Sequence, residues 1–233
     1  MTKEKINVGV YGARGYTGGE LCRLLLNHRN VNNIFPSAGE VEDFNSVHPN
    51  LDKSGLTFIK HNDLESKVAD LDVVFLCLSS GESMKVAPQF IEKGVDVIDI
   101  GSDFRLRRET YEKIYGKRHS CPELLEQAVY GVTELKRDEI RKAKLIANPG
   151  CYVITGLLGL YPLLKENMIE LQYIPINAIN GMTGADSKPS RDTMQTRVHG
   201  NILSYNMEGH RHSGEFEEKM AEFTGQQPVV NFN

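Results

Sequence analysis

"INVGVYGARGYTGGELCRLLLNH", residues 6–28, predicts a strand, a glycine turn and a helix in immediate succession. Ile6, Val8 and Val10 occupy alternate positions at its start, as in a buried strand. The run is too short for a helix. Glycines then recur at three-residue spacing: Gly12, Gly15 and Gly18. They let the backbone turn sharply and approach a ligand closely, while the helix N-terminus attracts a diphosphate. The order predicts a dinucleotide-binding turn, with a purely structural strand-to-helix turn as the alternative.

The helix after this turn carries its own start signal. Thr17 is placed to cap the helix, and Glu20 three residues on completes a capping box. One face of the helix is predicted from its apolar spacing: Leu21, Leu24, Leu25 and His28. The residues of the turn expected to bind a cofactor are Gly12, Arg14, Gly15, Tyr16, Thr17 and Gly18.

The segment "VNNIFPSAGEVED", residues 31–43, bears on the choice between NAD and NADP. An acidic residue about 20 positions after the glycine turn holds the ribose of NAD in many such folds. This segment offers Ser37 but no acid before Glu40, and no Arg to clasp a 2′-phosphate. The missing acid favours NADP (NADPH), with Ser37 as a further cofactor contact, and NAD stays open.

The composition of the 233 residues is that of an ordinary globular protein. It contains 27 basic and 31 acidic residues and has a net charge of −4, so we expect no nucleic-acid partner. No apolar run approaches the roughly 18 residues that a membrane helix needs, so we expect no membrane partner. The N-terminal residues lack an apolar secretory core. Four cysteines, at 22, 77, 121 and 151, form no CxxC pair, which favours free thiols and a cytoplasmic location.

Alternating strand and helix patterns continue through the middle of the chain. "LDVVFLCLSSGES" (71–83) and "VDVIDIGSDFRL" (95–106) are apolar runs that end in polar loops, and the helical pattern "SMKVAPQFIEKG" (83–94) connects them. The alternation predicts an α/β fold with a doubly wound parallel sheet. Cys22 and Cys77 fall in apolar patterns and are predicted core residues, whereas Cys121 precedes a proline and is predicted to be partly exposed.

The segment "NPGCYVITGLLGL", residues 148–160, places Cys151 at or near the start of a helix. A helix N-terminus stabilises a thiolate, and its N–H groups can hold an oxyanion after attack on a carbonyl. The sequence position alone leaves two interpretations open. Cys151 is either a nucleophile or a small buried residue at a tight turn.

The segment "GHRHSGEFEE", residues 209–218, supplies candidate bases for such a thiol. In an extended chain His210 and His212 point the same way, with Arg211 opposite, and Ser213 is a possible cap of the following helix. One histidine is a candidate acid–base, and the alternative is a surface triplet. A zinc site formed by Cys151 and both histidines matches no standard spacing, so no metal is expected.

These motifs together resemble the N-acetyl-γ-glutamyl-phosphate reductase family, within the semialdehyde dehydrogenase superfamily. The resemblance rests on "GARGYTGGEL", "GSDFRL", "YGVTEL", "NPGCY", "KPSR" and "GHRHSGEFEE", in order along the chain. It implies a Rossmann-like NADP domain over residues 1–148 and an α+β catalytic, dimerisation-type domain over 149–233. It also implies a homo-oligomer.

The resemblance further implies NADPH-dependent reduction of N-acetyl-L-glutamyl 5-phosphate to N-acetyl-L-glutamate 5-semialdehyde, a step of arginine biosynthesis. Cys151 would form a thioester and a histidine would move protons; a "GH" element in related aspartate-semialdehyde dehydrogenases points to His210, with His212 close behind. The expected substrate contacts are Arg105, Lys188, Ser190 and Arg211.

Members of that family usually continue beyond the point where this sequence stops, so the catalytic domain is expected to be truncated. Two other functions remain open. One is a sister reductase for an aminoadipyl or aspartyl phosphate, and the other is a non-catalytic nucleotide-binding protein.

Overall fold

The computed structural model describes residues 5–185, 187–206 and 209–232. The chain divides into two compact units. The first contains Met1–Arg108 and Lys117–Asn148, and the second contains Glu109–Gly116 and Pro149–Asn233. A short segment, Glu109–Gly116, thus groups with the second unit. The division into a nucleotide-binding domain over 1–148 and a catalytic domain over 149–233 stays a prediction.

The first unit contains a parallel sheet of seven strands within the described residues. The strands are β1 (Ile6–Tyr11), β2 (Val31–Ala38), β3 (Ile59–Lys60), β4 (Val73–Leu76), β5 (Asp96–Asp99), β6 (Val129–Tyr130) and β7 (Leu145–Ala147). Their order is β3-β2-β1-β4-β5-β7-β6, and every pair is parallel. This is the predicted doubly wound α/β sheet. Its order reverses between β1 and β4, where ligands of such sheets bind beyond the carboxyl ends of the strands.

Helices occupy the connections between these strands. They are α1 (Tyr16–Leu26), α2 (Phe44–Val47), α3 (His61–Ser66), α4 (Ser83–Glu92), α5 (Arg108–Tyr115), α6 (Pro122–Leu125) and α7 (Thr133–Ile140). The core around β1 and α1 contains Val8, Val10, Cys22 and Leu25, and Phe44 of α2 adds a large aromatic side chain.

The start and the buried face of α1 differ from the prediction. The N-cap is Gly15, without a side-chain cap, so Thr17 lies inside the first turn and forms no capping box. The buried residues of α1 are Gly18, Gly19, Cys22 and Leu25, whereas Leu24 is 54% exposed. The cause is close packing, because a Cβ on Gly18 would lie 2.5 Å from the Cα of Ala13. The face of α1 that carries Gly18 and Gly19 is therefore the one that packs inward.

Cys121 is buried, contrary to the prediction of partial exposure. Its thiol donates a hydrogen bond to the carbonyl of Met84 at 3.2 Å, which draws the side chain against α4. Cys22 is buried as predicted, and Cys77 is partly buried. No helix among the described residues is both long enough and apolar enough to cross a membrane.

The second unit is built on two packed helices, α8 (Cys151–Lys165) and α10 (Arg211–Thr224). Between them in sequence lie β8 (Ile174–Ile176) and the short α9 (Gln195–Val198), and β9 (Val230–Phe232) follows and pairs with β8 in parallel. Gly156 of α8 allows the helices to pack closely, because a Cβ there would lie 2.5 Å from the Phe216 ring. Val153, Leu157, Phe216 and Met220 are buried at this contact.

Candidate functional site

The glycine turn after β1 has the geometry of a diphosphate cradle. Gly12 has φ +81°, and a Cβ on it would collide with the carbonyl oxygen of Cys77, so glycine is required there. Gly15 is open: the nearest atom to a Cβ on it is the carbonyl oxygen of Gly12, at 4.0 Å. The first N–H groups of α1 have no partner within the helix and carry its positive dipole end. The turn therefore fits the diphosphate of a dinucleotide.

The side chains of this turn lie at its surface. Tyr16 and Thr17 are exposed on the first turn of α1. Arg14 donates to Glu42 in the loop after β2, at 3.0 and 3.2 Å from the two carboxylate oxygens. The cofactor contacts assigned to these residues remain predictions.

Ser37 lies at the carboxyl end of β2 but does not present its hydroxyl to solvent. The residue is fully buried, and its Oγ lies 2.9 Å from Nδ1 of His61. Its carbonyl accepts hydrogen bonds from the N–H groups of Gly12 and Ala13, at 3.1 and 2.8 Å. Ser37 thus ties the glycine turn to the end of β2, and direct contact between its hydroxyl and a ribose would require the His61 ring to move.

The loop after β5 is held by buried polar groups. Asp103 is fully buried and accepts from the backbone N–H groups of Gly81 and Met84, at 2.7 and 3.1 Å, so it fixes the start of α4. Arg105, a predicted substrate contact, donates to the carbonyls of Asn148 and Ile100, at 2.7 and 2.8 Å. The guanidinium therefore orders backbone that immediately precedes the Pro-Gly-Cys turn. Its contact with a substrate stays a prediction.

Cys151 is the first residue of α8, and its side chain is exposed. The N-cap is Gly150, and its N–H donates to Oε1 of Glu215 at 2.9 Å. Glu215 is 1% exposed and lies on α10, 65 positions away in sequence. The start of α8 is therefore anchored to α10 by a buried carboxylate. Sequence reasoning missed Glu215, because nothing in a local pattern marks a charged residue for burial.

His210 and His212 lie together at the start of α10. Their ring centroids are 4.6 Å apart, and both rings pack against Tyr152, the residue after the thiol, at 5.9 and 5.7 Å. His210 is the N-cap of α10, and its Nδ1 accepts from the N–H of His212 at 3.0 Å. The prediction that Ser213 caps this helix is therefore wrong, because His210 is the N-cap, three residues earlier.

The surroundings of His210 and Tyr152 disfavour charge on both side chains. Burial lowers the pKa of His210, and the neighbouring Arg211 lowers it further. Burial also raises the pKa of Tyr152, as does its hydrogen bond with Tyr205, where the two hydroxyls are 2.9 Å apart. These shifts favour a neutral imidazole at His210 and a neutral phenol at Tyr152, the second residue of α8.

The remaining predicted substrate contacts lie on different segments of the chain. Arg211 packs its guanidinium over the ring of Tyr115, 5.6 Å from the centroid. Ser190 caps a short 3₁₀ turn with Thr193, and Lys188 is exposed near it. Their substrate roles remain predictions. Within the described ranges no three His, Cys, Asp or Glu side chains are grouped as a metal site requires.

Two family models cover nearly all of the chain. One, described as the semialdehyde dehydrogenase NAD binding domain, matches residues 7–143, and the semialdehyde dehydrogenase dimerisation domain matches residues 151–233. Curated relatives named N-acetyl-gamma-glutamyl-phosphate reductase come from Heliobacterium modesticaldum (39% identical, covering 96% of this chain) and Acinetobacter baylyi (40%, covering 97%). The chain spans 64% and 66% of the lengths of these two relatives.

Solved structures support the same fold. Aspartate semialdehyde dehydrogenase II from Vibrio cholerae, complexed with ASA, aligns with a TM-score of 0.63 at 21% identity, over 98% of this chain and 68% of that chain. An aspartate semialdehyde dehydrogenase with NADP from Candida albicans aligns with a TM-score of 0.63 at 15% identity, over 98% and 66%. At these identities the likeness shows the fold alone. With both family models matched in order, the chain belongs to the semialdehyde dehydrogenase family.

Proposed function

We propose that this chain carries out the reaction named for its curated relatives, the NADPH-dependent reduction of N-acetyl-L-glutamyl 5-phosphate to the 5-semialdehyde. The observation that carries the proposal is the setting of Cys151. An exposed thiol begins a 15-residue helix, and a buried carboxylate anchors the residue before it. A histidine pair packs on the next side chain. This combination is typical of covalent acyl transfer.

The first half of the reaction forms a thioester. The Cys151 sulfur bonds to the acyl carbon as its proton passes to an imidazole, and the bond from that carbon to the phosphate oxygen breaks. The leaving phosphate takes the electron pair and then the proton. Backbone N–H groups of the first turn of α8 have no partner within the helix, so they are suited to stabilise the oxyanion formed on the way.

The second half of the reaction releases the aldehyde. When bound, the nicotinamide cofactor supplies the hydride that reduces the thioester carbonyl. The resulting hemithioacetal oxyanion collapses, so that the carbon–sulfur bond breaks and the thiolate leaves. The thiolate of Cys151 regains its proton from solvent through the imidazole. One proton and one hydride are consumed for each phosphate released.

We assign the proton transfers to His212 and a positioning role to His210. The Nδ1 of His210 accepts a backbone hydrogen bond, so the neutral ring carries its proton on Nε2. Nε2 therefore has no lone pair with which to take the thiol proton. His210 fixes the first turn of α10, and its ring packs on that of His212. This assignment reverses the order of preference drawn from the "GH" element.

We propose NADP as the cofactor, because residues 31–43 contain no acidic residue before Glu40.

We also propose that the chain forms a homo-oligomer. The second matched family model is described as a dimerisation domain, which supports association. Several large apolar side chains of this unit are exposed, including Tyr173, Ile179 and Ile202. Light scattering of the purified chain tests the oligomer, since a strictly monomeric mass would contradict it.

The decisive experiment follows NADPH oxidation by the purified chain with N-acetylglutamyl phosphate, beside Cys151→Ser. Turnover that vanishes in the variant is expected. Aspartyl phosphate serves as the comparison substrate, and faster turnover with it would assign the chain to the sister reaction. NADPH binding without turnover on either substrate would contradict the enzyme proposal and favour a nucleotide-binding protein.

A further inference from the structure

An exposed ion pair bridges the glycine turn and the loop after β2. Arg14 follows Ala13, whose N–H is bonded to the carbonyl of Ser37 at the end of β2. Its guanidinium reaches Glu42, which is four residues beyond the last residue of β2. An arginine therefore stands at the end of β2, although residues 31–43 contain none. The sequence of residues 31–43 did not predict this cation, because the arginine belongs to the glycine turn.

Two stacked rings also lie beside this end of β2. His61 stacks on Tyr11 with centroids 3.9 Å apart and planes 8° apart, and its Nδ1 lies beside the Ser37 hydroxyl. Its Nε2 is 3.9 Å from the position that a Cβ on Gly39 would take. Burial lowers the pKa of His61. This ring is therefore mostly neutral at pH 7, and the Arg14 guanidinium brings the positive charge that an anion needs here.

The position beyond β2 is where a dinucleotide of this fold places its adenosine ribose. NADP differs from NAD there by a 2′-phosphate, and a guanidinium binds phosphate through two parallel hydrogen bonds. We propose that Arg14 and Glu42 together set the choice between NADP and NAD. The 2′-phosphate takes the place of the Glu42 carboxylate on Arg14, and Glu42 competes with it.

The exposure of the pair makes this exchange easy. The side chains of Arg14 and Glu42 are 54% and 40% exposed, and pairs of this kind contribute little to folding. Two other acidic residues lie beside Glu42 in sequence. Asp43 accepts the N–H of Ser46 as the cap of α2, and Glu40 lies on the exposed loop. The inference rests on the proposed nicotinamide-cofactor function.

The test measures dissociation constants of NADPH and NADH from the fluorescence of the reduced nicotinamide, without turnover. Arg14→Ala should weaken NADPH binding about tenfold and change NADH binding by less than about twofold, since a charge-assisted hydrogen bond at an exposed site is lost. Glu42→Gln should strengthen NADPH binding about two- to fivefold by removing the competitor. The matched controls are Arg23→Ala and Glu20→Gln, an exposed pair on α1 that should leave both constants unchanged.

The outcomes separate the two levels of the proposal. If the wild type binds the nucleotides but Arg14→Ala weakens NADPH and NADH binding equally, the inference fails while the cofactor function stands. The same holds if Arg14→Ala changes neither dissociation constant. Weaker NADPH binding by Glu42→Gln also overturns the inference. A wild type that binds neither nucleotide overturns the cofactor function and this inference with it.

Discussion

At the scale of single residues, Cys151 differs from the other three cysteines in its exposure. Cys22 and Cys121 are buried, and burial raises the pKa of Cys22 to about 12 and that of Cys121 to about 11. Burial also raises the pKa of Cys77 to about 12. Because the thiolate is the reactive form, these three thiols should react slowly at neutral pH.

Alkylation therefore distinguishes Cys151. Iodoacetamide at neutral pH should modify one thiol of the folded chain quickly, and peptide mass spectrometry should locate it at Cys151. In Cys151→Ser the fast phase should disappear while the slow modification of the others stays unchanged. Equal rates for all four thiols in the folded protein would contradict a nucleophilic role.

The two histidines can be separated by the same replacement at each. Asparagine is a good N-cap, so His210→Asn should keep the hydrogen bond to the N–H of residue 212 and retain most of the turnover. His212→Asn should lower kcat about 10²–10⁴-fold, the usual contribution of a general acid–base. Steady-state kinetics and the pH profile of kcat/KM measure both effects. A larger loss in His210→Asn than in His212→Asn would reverse the assignment.

At the scale of elements, the order of strand, turn and helix was predictable from the sequence, but the helix starts were not. Capping patterns pointed to Thr17 and Ser213, whereas Gly15 and His210 are the N-caps. The backbone around Gly15 begins α1 without a side-chain cap, and an imidazole replaces the hydroxyl or carboxylate expected at α10. Glu215 also escaped prediction, since its burial depends on a partner in a distant element.

The start of α8 should depend on Glu215. Glu215→Ala leaves the buried N–H of Gly150 without its acceptor, so we expect a loss of about 1–3 kcal/mol in unfolding free energy. Because α8 then loses its anchor, kcat should fall while NADPH affinity stays unchanged. Glu215→Gln keeps an acceptor oxygen and should recover much of both losses. If Ala and Gln behave alike in denaturation and in kcat, the hydrogen bond does not position the helix.

At the scale of the whole molecule, one buried acid links stability to pH. Complete burial raises the pKa of Asp99 to about 6, with the charge of Asp103 adding to the effect, while Ser83, the N–H of Gly101 and Arg105 oppose it. The folded state thus holds this proton more tightly than the unfolded state. The stabilising contribution is fully present below about pH 4 and is lost as pH rises through about 6.

Asp99→Asn removes this titration. The wild type should gain about 1.5 kcal/mol relative to the variant when the pH falls from 7.5 to 5, from the linkage of the shifted pKa to folding. The chain has no tryptophan, so denaturant unfolding is best followed by far-ultraviolet circular dichroism. A stability difference between the two proteins that does not change with pH would show that Asp99 keeps its ordinary pKa.

The central claim is that Cys151 carries the acyl group, and one measurement tests it directly. The chain is mixed with N-acetylglutamyl phosphate in the absence of NADPH, and intact and peptide masses are recorded together with released phosphate. We predict one acyl group on Cys151 for each phosphate released, and loss of that group when NADPH is added. Phosphate release without an adduct, or an adduct on another residue, would contradict the account.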